Sequence, residues 1–280
     1  MLRPDGTRLE VWGDPVSHSL SPSLHAAAYR VLGLDWTYER RRVPESGFAR
    51  EFATLTAPWR GLSLTMPLKG AAYAVARSRD RRAELTGAVN TLLLAPGGPR
   101  GFNTDVGGIV RALQDERIDV VVEARIIGAG ATAASALVAL GELGARRVEV
   151  VARRAAAVAP LAALGAAVGI DVVGVSFDKD HHSEVPVTIA TLPGEASVPE
   201  SAADALASAG GHLLDVVYGH WPTMLAGAWA RNGGPATSGF GMLLHQALLQ
   251  VRIFVSGDAD TALDDETAVL AAMRESVVGD

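Results

Sequence analysis

The 280-residue sequence contains no cysteine. Disulfides, thiolate metal sites and a cysteine nucleophile are therefore excluded. Aromatic residues make up only 5% of the chain, whereas alanine, valine, leucine and glycine are abundant, a mixture that suits buried strands alternating with small-residue helices. There is no basic excess, since 25 lysines and arginines stand against 31 acidic residues, so we expect no nucleic-acid partner.

Long apolar segments are missing as well. No stretch approaches the roughly 18 uninterrupted apolar residues of a membrane-spanning helix, and the first residues lack the apolar segment of a secretory signal. We therefore expect a cytoplasmic protein without a membrane partner. His181 and His182 lie in a polar loop without the ligand spacing of a zinc site, so we expect no metal.

Strand and helix patterns alternate along the chain. The arginine triplet at residues 40–42 is interpreted as a solvated strand end or loop. Strands are predicted at residues 9–13, 37–43, 61–65, 88–94, 124–127, 147–151, 172–175, 187–190 and 212–217, with helices or turns between them. This alternation predicts parallel sheets and an α/β fold, and the length suits two domains of about 100–200 residues each.

A glycine-rich turn follows the predicted strand at residues 124–127 and opens a helix. It consists of Gly128, Ala129, Gly130, Ala131, Thr132 and Ala133 and matches the pattern G-x-G-x-x-A. The first glycine permits a tight turn, the second lets the backbone approach a pyrophosphate, and the third small residue lets helix and strand pack closely. In this strand–turn–helix context the motif predicts dinucleotide binding. The alternative is a tight packing turn without a ligand.

The choice between NAD and NADP depends on the tip of the next strand. An NAD site usually places a carboxylate there to hold the ribose 2′-hydroxyl. Here residues 147–151 are followed by Ala152, Arg153 and Arg154. A guanidinium group matches a phosphate, so the sequence predicts NADP as the cofactor. The alternative is that both arginines face solvent at a helix start.

Three further polar clusters have a simple structural interpretation each. Ser21 and Pro22 form the pattern of a helix N-cap and its first residue, although two hydroxyls beside a helix N-terminus also suit a carboxylate. Lys69 stands at a predicted helix start, and a lone lysine there is usually solvated. The helix dipole disfavours its positive charge at this position. Asp105 follows Asn103 and Thr104, and an N-cap role would account for it.

Taken in order, these clusters resemble the shikimate dehydrogenase family. The matching pieces are HSLSPSLH, TMPLK, GAVNTL, GFNTDVGG, the glycine turn, DVVYGHWPTML and SGFGMLLHQ, and they cover nearly the whole chain. The resemblance implies NADP-dependent, reversible reduction of 3-dehydroshikimate to shikimate in aromatic amino-acid biosynthesis. It also implies a monomer or homodimer.

The resemblance implies roles for individual residues. Lys69 and Asp105 would form the catalytic dyad. The substrate would be held by Ser19, Ser21, Thr65, Asn90, Tyr218 and Gln246. Besides the glycine turn and the two arginines, the cofactor would meet Thr191, Gly241 and Met242. Residues 1–106 plus 241–280 would form an α/β substrate domain and residues 107–240 a Rossmann-type NADP-binding domain, with the active site in the cleft between them.

Some positions depart from the family pattern. Ala152 and Arg154 stand where the family often has asparagine and threonine, Ile189 replaces a common asparagine, and Gly219-His220 replace a common Asn-Pro. A quinate or dual quinate/shikimate dehydrogenase stays open, as do an aminoshikimate substrate and a non-catalytic NADP-binding regulator. The missing carboxylate after residue 151 disfavours an NAD-linked quinate enzyme.

Overall fold

A computed structural model describes residues 6–177 and 182–278 of the chain. The chain folds into two compact units. The first comprises Met1–Thr104 and Leu244–Asp280, and the second comprises Asp105–Leu243. Two helices cross the boundaries between the units, Thr104–Asp115 (α5) and Phe240–Ser256 (α10).

The first unit is built on a six-stranded sheet. Its strands are Arg8–Gly13 (β1), Thr37–Arg42 (β2), Trp59–Leu64 (β3), Ser78–Arg79 (β4), Thr91–Ala95 (β5) and Gly98–Phe102 (β6). Their order is β2-β1-β3-β5-β6-β4. β1 pairs in parallel with β2 and β3, but β5 runs antiparallel to both β3 and β6. β5 departs from the parallel pairing of the other strands because the two-residue link to β6 can only join antiparallel strands, and a returning strand after residues 88–94 is what the sequence predicts.

Among the described residues, five α-helices belong wholly to the first unit. They are Ser21–Val31 (α1), Phe48–Phe52 (α2), Lys69–Val75 (α3), Arg81–Thr86 (α4) and Glu266–Val278 (α11). Helix α11 packs against α1, so the end of the chain returns to the unit that the beginning of the chain forms. Buried apolar side chains of β1, β3, α3 and β5 make the core, with Trp12 and Phe48 packed edge to face.

The second unit contains a six-stranded parallel sheet. Its strands are Glu123–Ile127 (β7), Arg147–Val151 (β8), Asp171–Val175 (β9), Val187–Ala190 (β10), His212–Asp215 (β11) and Ala236–Ser238 (β12). The spatial order is β12-β11-β10-β7-β8-β9, and every pair is parallel. Counted from β7 as the first strand, this is the order 3-2-1-4-5-6 of the doubly wound dinucleotide-binding fold.

Helices cover this sheet. They are Ala131–Glu142 (α6), Ala159–Val168 (α7), Glu200–Ser208 (α8) and Met224–Arg231 (α9). A cluster of buried side chains from β7, β10, β11, α8 and α9 forms its core, with Trp229 fully buried at its centre. The α/β class predicted from the alternation is confirmed. In the described ranges, no helix is long and apolar enough to cross a membrane.

The start of helix α1 differs from its prediction. The helix begins at Ser21, and its N-cap is Leu20, which has helical backbone angles. Ser21 is therefore inside the helix rather than its cap. The free N–H of Ser21 donates instead to Oγ of Ser19 at 3.3 Å. The N-cap interpretation of Ser21 is wrong because Ser21 is already the first residue of the helix and Leu20 occupies the capping position.

The arginine triplet also differs from a simple solvated strand end. All three residues close β2, and Arg40 and Arg42 are exposed. Arg41, however, binds the buried carboxylate of Glu10 through two nitrogens, at 2.8 and 2.9 Å. Burial of Glu10 requires such a partner, since a charge without one is costly inside a protein.

Candidate functional site

In the first unit, the segment that leads into helix α3 carries Thr65 and Lys69. The N–H of Thr65 donates to the carbonyl of Trp12 at 2.9 Å, which ties the segment to the end of β1. Gly13 makes this approach possible, because a Cβ there would lie 2.3 Å from Cγ2 of Thr65. Lys69 is half-buried and is the first residue of α3, as predicted.

The serine segment before helix α1 is held by neighbouring charged side chains. Arg40 donates a hydrogen bond to the carbonyl of Ser17, and Arg42 donates to Oδ1 of Asp14 at 2.7 Å. These residues line a pocket of about 500 Å³. Ser19 is half-buried and Ser21 is buried. Two positive groups thus lie on the segment where the resemblance expects a carboxylate.

Asn90 is the most constrained of the predicted substrate residues. It is 2% exposed at the start of β5. Its Oδ1 accepts from the N–H of Thr104 at 2.9 Å and from the hydroxyl of Thr91 at 2.9 Å. Its Nδ2 donates to Oγ1 of Thr104 at 2.8 Å. A buried amide with so many fixed partners holds one orientation.

Thr104 brings two predicted substrate residues together. Its hydroxyl lies 3.5 Å from Oε1 of Gln246, which is buried on α10. The turn that carries Thr104 is anchored by Asp80, whose carboxylate accepts the N–H groups of Ala83 and Asn103 at 2.7 and 3.3 Å. Burial raises the pKa of Asp80.

Sequence reasoning assigned no role to Thr104 or Thr91. The signal that identifies them is the Asn-Thr pair that occurs twice, at residues 90–91 and 103–104. The antiparallel register of β5 and β6 pairs Thr91 with Phe102, so both pairs lie at one end of this hairpin. A repeated polar pair at the same end of two neighbouring strands is a useful pointer to a site.

Asp105 is the second residue of helix α5 and the first of the second unit. It is 5% exposed. Because the helix already begins at Thr104, Asp105 is not the residue before it, and the N-cap interpretation of Asp105 is wrong. Its assignment to the catalytic dyad stays a prediction.

The glycine turn has the geometry that close approach of a ligand requires. Gly128 has φ +116°, and a Cβ there would lie 2.5 Å from Oγ1 of Thr191. Gly130 is the N-cap of α6 and has extended backbone angles, and a Cβ there would meet no atom within 4 Å. No side chain caps this helix, so its first N–H groups suit the oxygens of a phosphate.

Arg153 and Arg154 follow β8, the strand next to the glycine turn. Both are exposed. The N–H of Gly128 donates to the carbonyl of Val151 at 2.9 Å, which joins the turn to the end of this strand. The glycine turn and the two arginines therefore follow neighbouring strands at one edge of the sheet, which is the arrangement that the predicted NADP site requires.

The other half of the same edge carries the remaining predicted cofactor residues and Tyr218, a predicted substrate residue. Thr191 follows β10 and donates through Oγ1 to the carbonyl of Ile127 at 3.1 Å. Tyr218 follows β11 and is half-buried, which raises its pKa. Met242 is 8% exposed, and Gly241 lies against Ala112, where a Cβ would meet that side chain at 3.5 Å.

A further pocket of about 320 Å³ opens beside β10 and β11. Asp215 lies in its wall, and the side chain of this buried residue accepts the hydroxyl of Thr223 at 2.7 Å. Burial raises the pKa of Asp215. Thr223 also caps helix α9 by accepting the N–H of Ala226. This pair fixes the loop that carries Tyr218.

Among residues 6–177 and 182–278, no three side chains of the metal-binding types lie together. His182 instead lies 3.1 Å from the carboxylate of Glu149. His181 lies outside the described residues.

The comparisons with known proteins agree on one family. The model of the shikimate dehydrogenase substrate-binding domain matches residues 11–92. A shikimate dehydrogenase (NADP(+)) of Methylobacterium radiotolerans is 37% identical over 254 residues, which are 86% of this chain and 88% of that protein. The enzyme of the same name from Alkalilimnicola ehrlichii is 36% identical over 278 residues, covering 95% of this chain and 98% of its own.

Solved structures give the same result. The shikimate dehydrogenase of Mycobacterium tuberculosis superposes with a TM-score of 0.84 at 38% identity, over 96% of this chain and 99% of that one. The enzyme of Thermus thermophilus, solved in complex with NADP(H) and shikimate, superposes with a TM-score of 0.79 at 29% identity, over 97% of this chain and 100% of that one.

Proposed function

This chain belongs to the shikimate dehydrogenase family, and we propose that Lys69 and Asp105 catalyse its reaction, the NADP-dependent, reversible reduction of 3-dehydroshikimate to shikimate. The protein is an oxidoreductase of aromatic amino-acid biosynthesis. The observation that supports a substrate site in the first unit is the constrained cluster of Asn90, Thr104 and Gln246, buried polar groups of the kind that bind ring hydroxyls.

The second unit fits NADP. The uncapped start of α6, the open side of Gly130 and the exposed Arg153 and Arg154 offer N–H donors and positive charge to phosphates. Bound NADPH supplies the hydride. We assign residues 1–106 plus 241–280 to substrate binding and residues 107–240 to the cofactor. A cytoplasmic location and a monomeric or homodimeric state stay predictions.

In this proposal, Lys69 donates and accepts the proton of the reaction. During reduction, negative charge develops on the carbonyl oxygen of the substrate, and the ammonium group of Lys69 stabilises that charge and donates the proton. In the opposite direction the amine accepts the proton from the hydroxyl. Asp105 orients the lysine. Thr65, Asn90 and Gln246 hold the ring hydroxyls, so that the reacting carbon has one fixed position.

Replacement of Lys69 tests the assignment. We expect Lys69→Ala to lower kcat about 10²–10⁴-fold, the usual contribution of a positioned acid or base, with a smaller change in the KM of shikimate. Arg81→Ala is the matched control, because Arg81 is also a basic first residue of a helix in the same unit and is exposed. Its kcat should equal that of the wild type. Turnover of Lys69→Ala within about tenfold of the wild type would show that the lysine is not the catalytic group.

A further inference from the structure

Behind the predicted substrate residues, helix α10 contributes a second buried glutamine. Gln250 lies one turn after Gln246 and is 2% exposed. Its Nε2 donates to the carbonyl of Asn90 at 3.3 Å and to Oγ1 of Thr91 at 3.1 Å. A carbonyl can only accept, so the NH₂ end of this amide faces β5.

The carbonyl oxygen of the Gln250 side chain also has two hydrogen-bond partners. Its Oε1 accepts from the hydroxyl of Ser63 at 2.8 Å and lies 3.2 Å from Nε2 of His25. This nitrogen must therefore carry the proton, and Nδ1 of His25 accepts from the hydroxyl of Tyr29 at 3.0 Å.

His25 is held for this role. Its ring is fully buried and stacks on Tyr38 with ring centroids 3.9 Å apart. Burial lowers the pKa of His25 to about 3, so the ring stays neutral and keeps one donor and one acceptor. The histidine therefore presents the same N–H to Gln250 at every working pH.

The direction of the next hydrogen bonds follows from these. The hydroxyl of Thr91 accepts from Gln250 and has a single proton, which it donates to Oδ1 of Asn90 at 2.9 Å. The N–H of Thr104 supplies the second hydrogen bond to the same oxygen. Both lone pairs of Oδ1 are then occupied, so any contact of the Asn90 side chain with a ligand is made through Nδ2.

We propose that Thr91 and Gln250 are positioning residues that fix Asn90 as a hydrogen-bond donor to a hydroxyl of the substrate. The chain of hydrogen bonds runs one way, from Tyr29 through His25, Gln250 and Thr91 to Asn90. This inference rests on the proposed reaction. It adds an explanation of how the protein selects a substrate whose ring carries a hydroxyl at this position. A site built to bind a hydroxyl discriminates strongly against an analogue that lacks it.

The test removes one hydroxyl that touches neither substrate nor cofactor. Thr91→Val keeps the shape of the side chain but neither accepts from Gln250 nor donates to Asn90, whereas Thr91→Ser keeps the hydroxyl. We expect Thr91→Val to raise the KM of shikimate about tenfold. Its kcat should stay within about threefold and the KM of NADP should be unchanged. Thr91→Ser should behave like the wild type.

The matched control is Thr188→Val. Thr188 is also a fully buried strand residue, and its hydroxyl donates to the carbonyl of Gly210 at 2.7 Å in the second unit. Thr91→Val loses two buried hydrogen bonds and Thr188→Val loses one, so both variants should lose thermal stability. Only Thr91→Val should change the KM of shikimate. Equal KM values for the two valine variants would overturn the proposal.

Two additional measurements keep the outcome decisive. If Thr91→Val does not fold, Gln250→Met removes the same donor to Thr91 and should raise the KM of shikimate to a similar extent. The affinities of 4-deoxy and 5-deoxy analogues of shikimate are then measured by inhibition. One of the two analogues lacks the hydroxyl that Asn90 binds, so its affinity should be the same for the wild type and Thr91→Val. Equal weakening of both analogues and of shikimate would contradict a donor role for Asn90.

Failure of the proposed function would be visible separately. A wild-type protein that does not turn over shikimate with NADP would contradict that function and leave the hydrogen-bond chain to be measured directly. Exchange of the Asn90 side-chain amide protons, followed by NMR, should then be slow in the wild type and Thr91→Ser and faster in Thr91→Val. The same exchange rate in all three would overturn the positioning role.

Discussion

Gly130→Ala separates nucleotide binding from folding. Gly130 has φ −96° and ψ −169°, which is extended backbone that alanine adopts without strain. The added methyl group would meet no protein atom within 4 Å. The substitution therefore places one methyl group in the space where the pyrophosphate is predicted to lie and disturbs nothing else.

The two expected effects differ in size. Loss of glycine restricts the unfolded chain, which stabilises a protein by about 0.4–1 kcal/mol where the native backbone fits. Alanine is also a poorer helix N-cap than glycine, which costs a similar amount at this position. We therefore expect the Tm of the protein without nucleotide to change by less than about 4 °C. NADP binding should instead weaken at least about tenfold, or about 1.4 kcal/mol, because the backbone no longer approaches the phosphates.

Calorimetric titration of NADP and a thermal melt without nucleotide measure the two effects. Gly128→Ala gives the contrast, because its φ of +116° and the 2.5 Å approach to Oγ1 of Thr191 predict a loss of stability as well. That loss should be about 1–3 kcal/mol. Unchanged NADP affinity in Gly130→Ala would refute the predicted position of the pyrophosphate.

Two other predictions concern the second unit. Arg153→Ala combined with Arg154→Ala should raise the KM of NADP at least about tenfold and change that of NAD little, since only NADP carries the 2′-phosphate; equal effects on both would contradict the arginine assignment. Arg125→Met should lower the free energy of unfolding by about 3–5 kcal/mol, because it removes the buried guanidinium group whose Nε lies 2.8 Å from the Glu149 carboxylate. The control Arg147→Met removes an ion pair with Asp171 that is largely exposed and should cost less than about 1 kcal/mol. Equal melting temperatures of the two methionine variants would contradict this account of the buried pair.

The second unit is the part that sequence patterns describe best. Its strands are short and mostly apolar, and the predicted bounds at 147–151 and 187–190 agree with the observed β8 and β10. Buried parallel strands are almost entirely apolar, so their ends are marked clearly by the first polar or glycine residue. The glycine turn follows its strand directly, which is why its position could be read without any structure.

The first unit shows what such patterns miss. The helix whose start at Lys69 was predicted ends at Val75, and residues 78–79 form the short strand β4, which was not predicted. Helix α4, which Asp80 caps through the N–H of Ala83, was not predicted. Short elements of this kind depend on a cap and on pairing with a distant strand, here β6, which local periodicity does not contain.

Some residues of the candidate site could be predicted from the sequence and others could not. Single residues such as Lys69 and Asn90 were identified because each belongs to a motif. Thr91 and Gln250 were not, because their role depends on a contact between residues that are 159 positions apart in the sequence. Sequence order gives no information on which buried polar groups will meet across a fold.

The central claim is tested most directly by initial rates of the purified protein, with shikimate and quinate each combined with NADP and NAD. Rapid turnover with shikimate and NADP, and slow turnover with the other three pairs, is the predicted result. Preference for quinate or for NAD would contradict the assigned specificity while leaving the family in place. No turnover with any pair would contradict the proposed reaction and favour a non-catalytic NADP-binding protein.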